Sequence, residues 1–185
     1  GTGRHAALAA LLHPAADILA VDLSRASLGY AARRAAETGA KNLKFAQADI
    51  LEMSLLGESF DVIDCVGVLH HLHDPMAGWR VLRGLLAAGG FMRVALYSEL
   101  GRAAIVAARE IVAEDGFTAD RAGIRQCRQR ILALPDGHPA RAVSESPDFW
   151  SLSGCRDLLL HVQEHRFTLP RIEQSLEALG MEFLG

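Results

Sequence analysis

The residues of this 185-residue sequence with the clearest chemical use are glycines and acids set at the edges of strand-like runs. Gly1-Thr2-Gly3-Arg4-His5-Ala6 fits the pattern G-x-G-x-x-G/A, in which missing side chains let backbone approach a ligand while a helix N-terminus aims its N–H groups at it. A plain tight turn uses the same residues, so the pattern needs support from its surroundings. Asp22 supplies some, because it closes the next strand-like run, where a carboxylate can accept both hydroxyls of a ribose. Capping the following helix is its competing use. Asp49 leaves a later strand-like run at the same sheet edge, where an adenine amino group can reach it and an adjacent backbone N–H can meet the ring. A loop acid would look the same. Taken together, these residues describe a nucleoside site.

The histidines offer a second chemistry. His161-Val162-Gln163-Glu164-His165 matches H-x-x-E-H, which on a helix would place two histidines one turn apart around a metal with the glutamate as base. Little chain follows to carry a distant acidic ligand, and no metal is expected. His70, His71, His73 and Asp74 also gather donors, but adjacent histidines point in different directions and Asp74 precedes Pro75 as a helix cap. A loop edging the nucleoside site is the reading preferred for them. Arg121, Arg125 and Arg128 form one helix face that suits either solvent or an acidic substrate.

Elements must hold these groups in place. Arg4 to His13 reads as a helix stopped by Pro14, and Ile18 to Leu23 as a buried strand. Ser24 caps a helix with an apolar face of Leu28, Ala31 and Ala35, ended by Gly39. Leu43 to Ala48 and Phe60 to Val66 read as strands. Asp74-Pro75 opens a helix with Met76, Trp79, Leu82 and Leu86 as its buried stripe. Gly89-Gly90 is expected to turn the chain into a strand from Phe91 to Tyr97.

Beyond Ser98 the pattern is mainly helical to about Glu164, with Ile124, Cys127, Ile131 and Leu134 on one face, a loop from Asp136 to Asp148, and a helix after Ser151. Pro170 to Leu179 reads as a helix and Met181 to Leu184 as a last strand. Alternating helices and strands predict an α/β fold, doubly wound with a mostly parallel sheet. The expected division is a core of residues 1–97 and 166–185, with residues 98–165 as a helical insertion or lid.

Composition narrows the partners. With half of its residues apolar and 22% charged, the chain can bury a substantial core. A net charge of −3 gives no basic footprint for nucleic acid. Cys65, Cys127 and Cys155 lack any C-x-x-C spacing, which fits a reducing, cytoplasmic setting. No run is long enough to span a membrane. The first residue is Gly1 rather than methionine, which points to truncation or processing.

Several of these segments in succession resemble the class I S-adenosylmethionine-dependent methyltransferases. The segments are Gly1-Thr2-Gly3, the strand-end Asp22, Asp49-Ile50, Phe60-Asp61-Val62-Ile63 running into Val68-Leu69-His70-His71-Leu72, and Leu85 through Phe91. The resemblance implies S-adenosyl-L-methionine as cofactor, with Gly1 and Gly3 facing its methionine part, Asp22 its ribose, and Asp49 with Ile50 its adenine. It also implies that Val66 and Gly67 offer backbone groups to the amino-acid end. Phe149 to Gly185, with Cys155-Arg156-Asp157 and His161 to Phe167, resembles the tail of bacterial methyltransferases often attached to tetratricopeptide repeats. Against the family pattern, a strand running into Gly1 and one following Gly185 are missing, so truncation at both ends is expected.

Methyl transfer needs mainly an aligned acceptor, since the cofactor arrives activated. His70 and Tyr97 are the candidate catalytic residues for an acceptor that must lose a proton, and a small molecule is the expected acceptor. A nicotinamide-dependent oxidoreductase would use the same glycines and ribose acid, and a non-catalytic interaction module would use only the fold.

Overall fold

The computed structural model describes residues 1–185, which fall into two compact units. The first comprises Gly1–Val62 with Ala77–Phe91, and the second Ile63–Met76 with Met92–Gly185.

The first unit begins with helix α1 (Arg4–Leu12), strand β1 (Ile18–Asp22), helix α2 (Arg25–Thr38) and strand β2 (Leu43–Gln47). Strands β1 and β2 pair in parallel, Ile18 opposite Leu43 and Asp22 opposite Gln47, with α2 as the connection a parallel pair requires. The helix is delimited as its sequence dictates. Ser24 Oγ accepts the Ser27 N–H at its start, and Gly39 takes the left-handed conformation (φ 73°) at its end. Ala10, Ala35 and Leu43 form the local core, with Ile18, Ala20 and Phe45 packed against it. Small alanine side chains bring α1 and α2 close to the strands.

After a 3-10 turn at Ile50–Leu56, strand β3 (Phe60–Val66) pairs with β4 (Leu86–Ala95) in a second sheet. Helix α3 (Pro75–Leu85) lies between them in sequence and buries Trp79, Leu82 and Leu85. The expected Gly89-Gly90 turn is instead part of β4, which starts five residues before Phe91. These glycines serve close approach. Gly89 has φ 75°, and a Cβ on Gly90 would stand 2.8 Å from the Asp61 carbonyl oxygen.

The second unit is mainly helical. Strand β5 (Tyr97–Ser98) is followed by α4 (Ala103–Asp115), α5 (Arg121–Leu132), the one-turn α6 (Pro147–Trp150) and α7 (Leu152–Leu160). Ile124, Cys127 and Ile131 of α5 are fully buried with Ala108, Ala140, Phe149 and Cys155, as the apolar face of that helix predicts. Within the expected loop, Pro139–Glu145 coils into a 3-10 segment that buries Ala140 and Val143. Strand β6 (Arg166–Phe167) pairs in parallel with β5, and α8 (Leu169–Leu179) follows, capped by Thr168 and stopped by Gly180.

Residues 181–184 form no strand, a correction to the sequence reading. Phe183 and Leu184 are each 73% exposed, so the apolar pattern there meets no partner. No helix is long and apolar enough to cross a membrane.

Candidate functional site

In the first unit, the parallel register decides where the acids stand. Asp22 ends β1 opposite Gln47, and Asp49 lies two residues beyond Gln47, so both leave the sheet at its carboxyl edge. That edge is where ligands of open α/β sheets bind. The Gln47 side chain ties the two exits together, its amide donating to the Leu23 carbonyl at 3.0 Å.

The glycine loop reaches the same edge. The terminal ammonium of Gly1 is ion-paired with Asp22 Oδ2, while Asp22 Oδ1 accepts the Ser24 N–H at 2.7 Å. Asp22 is about one-fifth exposed, accessible to a ligand yet held by a backbone contact. Gly3 is the N-cap of α1 with φ 73°. A Cβ on it would come 2.4 Å from Ala31 Cβ, so this glycine is demanded twice, by its left-handed backbone and by the approach of α2.

Asp49 caps the 3-10 turn that begins at Ile50, its Oδ1 accepting the Leu51 N–H at 2.9 Å, and Ile50 is half-buried. The cap holds one carboxylate oxygen and leaves the other available. Gly1, Gly3, Asp22, Asp49 and Ile50 thus all belong to one unit and one sheet edge. The glycine cradle and the strand-end acid fit the nucleoside part of S-adenosyl-L-methionine.

The remaining expected site residues belong to the second unit. Val66 ends β3 and is exposed, and Gly67 takes φ 76° with open space where a Cβ would stand. His70 is 1% exposed, and neither ring nitrogen has a hydrogen-bond partner. Burial, reinforced by neighbouring His71, pushes its imidazolium down to about 4, so the ring is neutral at neutral pH. The ring stacks on Tyr97 with centroids 3.6 Å apart. Burial also raises the Tyr97 phenol. In this conformation His70 is closed off from an acceptor, which the sequence pattern did not foretell.

Arg102 was not legible in the sequence. Its guanidinium lies 3.6 Å from the Tyr97 ring centroid, on a tyrosine that also stacks with His70. The guanidinium forks onto Glu164, Nε donating to Oε1 at 2.8 Å and the second bond running from Nη2 to Oε2. The Glu164 side chain is 2% exposed, and Arg109 and Arg166 each stand 3.9 Å from it. Residues 161–165 are not helical, so the H-x-x-E-H pattern forms no helical metal face and its glutamate is committed to arginines. Pairing across 62 positions leaves no local sequence signal.

A cleft of about 500 Å³ opens among Ser54, Gly57, Glu58, Arg80 and Gly84 of the first unit, lined by none of the expected site residues.

A family model described as a methyltransferase domain matches residues 1–135, and the chain belongs to that family. It is therefore a methyltransferase domain, and its α/β fold is the Rossmann-like fold of its structural neighbours. An uncharacterized protein of Synechococcus sp. is 34% identical over 194 residues, covering 100% of this chain and 46% of its own length.

Among solved structures, PKMT2 from Rickettsia typhi superposes with a TM-score of 0.74 at 17% identity, over 94% of this chain and 35% of that one. The same protein in complex with AdoHcy gives 0.69 at 19% identity, over 92% and 35%. The YcgJ protein from Bacillus subtilis gives 0.53 at 16%, over 78% of this chain and 77% of that chain. These likenesses show the fold. The chain spans less than half the length of its Synechococcus relative and about a third of PKMT2.

Proposed function

We propose that the protein of which this chain forms the methyltransferase domain transfers a methyl group from S-adenosyl-L-methionine to a small-molecule acceptor in the cytoplasm. The single observation that supports the cofactor assignment is the placement of Asp22 and Asp49 at the carboxyl edge of one parallel strand pair, beside the glycine cradle. In this reading Asp22 accepts the ribose hydroxyls, Asp49 accepts the adenine amino group, and Ile50 covers the base. Charge-assisted hydrogen bonds of this kind contribute roughly 1.5–3 kcal/mol each. The three buried free cysteines fit a reducing compartment.

Bound S-adenosyl-L-methionine supplies an electrophilic methyl carbon on a sulfonium, which passes to a nucleophile by displacement. The chain's task is alignment and exclusion of water. No covalent residue is needed. Tyr97, held between His70 and Arg102, is the polar side chain of the second unit that we assign to the acceptor's surroundings, with His70 as the positioning residue behind it.

Calorimetry tests this reading directly. Titration with S-adenosyl-L-methionine should give saturable binding at one site per chain, and NAD should give none. Binding of NAD with no response to S-adenosyl-L-methionine would overturn it.

A further inference from the structure

We propose that His71, Asp157 and His161 form a binding site for one divalent transition-metal ion of the zinc type. Each of the three offers a ligand atom, and those atoms all lie within 4.8 Å of one another. His71 sits in the 3-10 turn after β3, Asp157 in α7, and His161 on the residue that follows α7. All three belong to the second unit.

The geometry around the histidines resembles a prepared metal site. Their ring centroids are 4.0 Å apart. Both Nδ1 atoms face one oxygen, the Gln163 carbonyl, at 3.0 Å from His71 and 2.7 Å from His161. A carbonyl oxygen only accepts, so a ring bonded to it donates Nδ1–H and carries its lone pair on Nε2. The Gln163 N–H also donates to His161 Nδ1 at 3.2 Å, so His71 is the ring whose Nδ1 meets the carbonyl alone. Donation of the second ring nitrogen to a backbone carbonyl is the usual device that orients a metal-binding imidazole.

Two imidazoles and one carboxylate make a donor set suited to zinc and its neighbours rather than to magnesium or calcium. Bonds of about 2.0–2.2 Å in a tetrahedral site put ligand atoms about 3.4 Å apart, so atoms spread over as much as 4.8 Å close onto an ion with a shift of about 1.4 Å or less. Asp157 is exposed, which gives an ion a route in and leaves water at the fourth position. The nearby Arg109 cation is directed elsewhere, donating to the His161 carbonyl at 2.6 Å and facing Glu164. Neither Glu164, paired to Arg102, nor His165, which meets the Gln163 side chain, takes part. The site therefore shares only His161 with the H-x-x-E-H pattern.

Such an ion would fasten the turn carrying His70 and His71 to the end of α7. Titration of metal-free chain with Zn²⁺, with Co²⁺ absorption as the geometric readout, tests the assignment. We expect one ion per chain, visible-region Co²⁺ bands, and a higher melting temperature with Zn²⁺. Removal of a direct ligand in His71→Ala or His161→Ala should weaken binding by at least the roughly 10–100-fold seen on loss of an orienting partner. The exposed Asp157→Asn should weaken it while preserving the fold by circular dichroism, and His165→Ala should leave it unchanged. No Zn²⁺ or Co²⁺ binding by the folded chain would overturn the proposal. So would undiminished binding in Asp157→Asn, or equal loss in His165→Ala.

Discussion

Asp22 Oδ1 accepts the Ser24 N–H at 2.7 Å, and Ser24 Oγ in turn accepts the Ser27 N–H, so the acid that ends β1 is fastened to the cap of α2. The carboxylate that we assign to the ribose is thereby held at the sheet edge by its own chain.

Gly3 and Gly67 make a matched pair for substitution by alanine, since both have positive φ but only Gly3 is crowded. Left-handed backbone costs a non-glycine residue about 1–2 kcal/mol, and forcing extra atoms into a packed contact about 1–3 kcal/mol more. Urea denaturation should therefore show Gly3→Ala losing clearly more stability than Gly67→Ala. Equal losses would mean that the approach of Ala31 is easily relieved.

Arg102→Ala should destabilise the fold by about 3 kcal/mol, because the buried Glu164 carboxylate loses its two-pronged partner and keeps only Arg109 and Arg166, each 3.9 Å away. Removing both charges together, in Arg102→Met with Glu164→Leu, should cost less than Arg102→Ala alone. A double-mutant cycle in denaturant measures the difference, and a cost for the double variant equal to the sum of the singles would argue against coupling.

Thiol accessibility checks the packing of the second unit, which holds all three cysteines. Cys65, Cys127 and Cys155 are buried, and burial pushes the Cys65 thiol up to about 11. An aromatic disulfide reagent should find no reactive thiol in the native chain and all three in denaturant. Rapid reaction of Cys127 or Cys155 under native conditions would show that the α5 and α7 interface opens.

Much of this architecture was legible in the residues. Ser24 and Gly39 bracket α2 as expected, Asp74 Oδ1 accepts the Met76 N–H at the start of α3, and α5 buries its periodic apolar face. Such signals are local, so one sequence carries them. Gly89-Gly90 misled because a glycine pair that permits backbone contact inside a strand reads the same as one that permits a turn. Met181 to Leu184 misled because strand-like composition needs a pairing partner before it becomes a strand. The stack of His70, Tyr97 and Arg102, and the meeting of His71 with His161, arise from contacts between distant positions, which no spacing rule encodes.

The most direct measurement is the affinity of S-adenosyl-L-methionine for Asp22→Asn compared with the unaltered chain, by calorimetry at matched salt. Asparagine keeps an oxygen for the Ser24 N–H but removes the charge that would grip the ribose. The account predicts a loss of about tenfold or more, from the roughly 1.5–3 kcal/mol of a charge-assisted bond, with the melting temperature little changed. Unchanged affinity in a folded Asp22→Asn protein would contradict it.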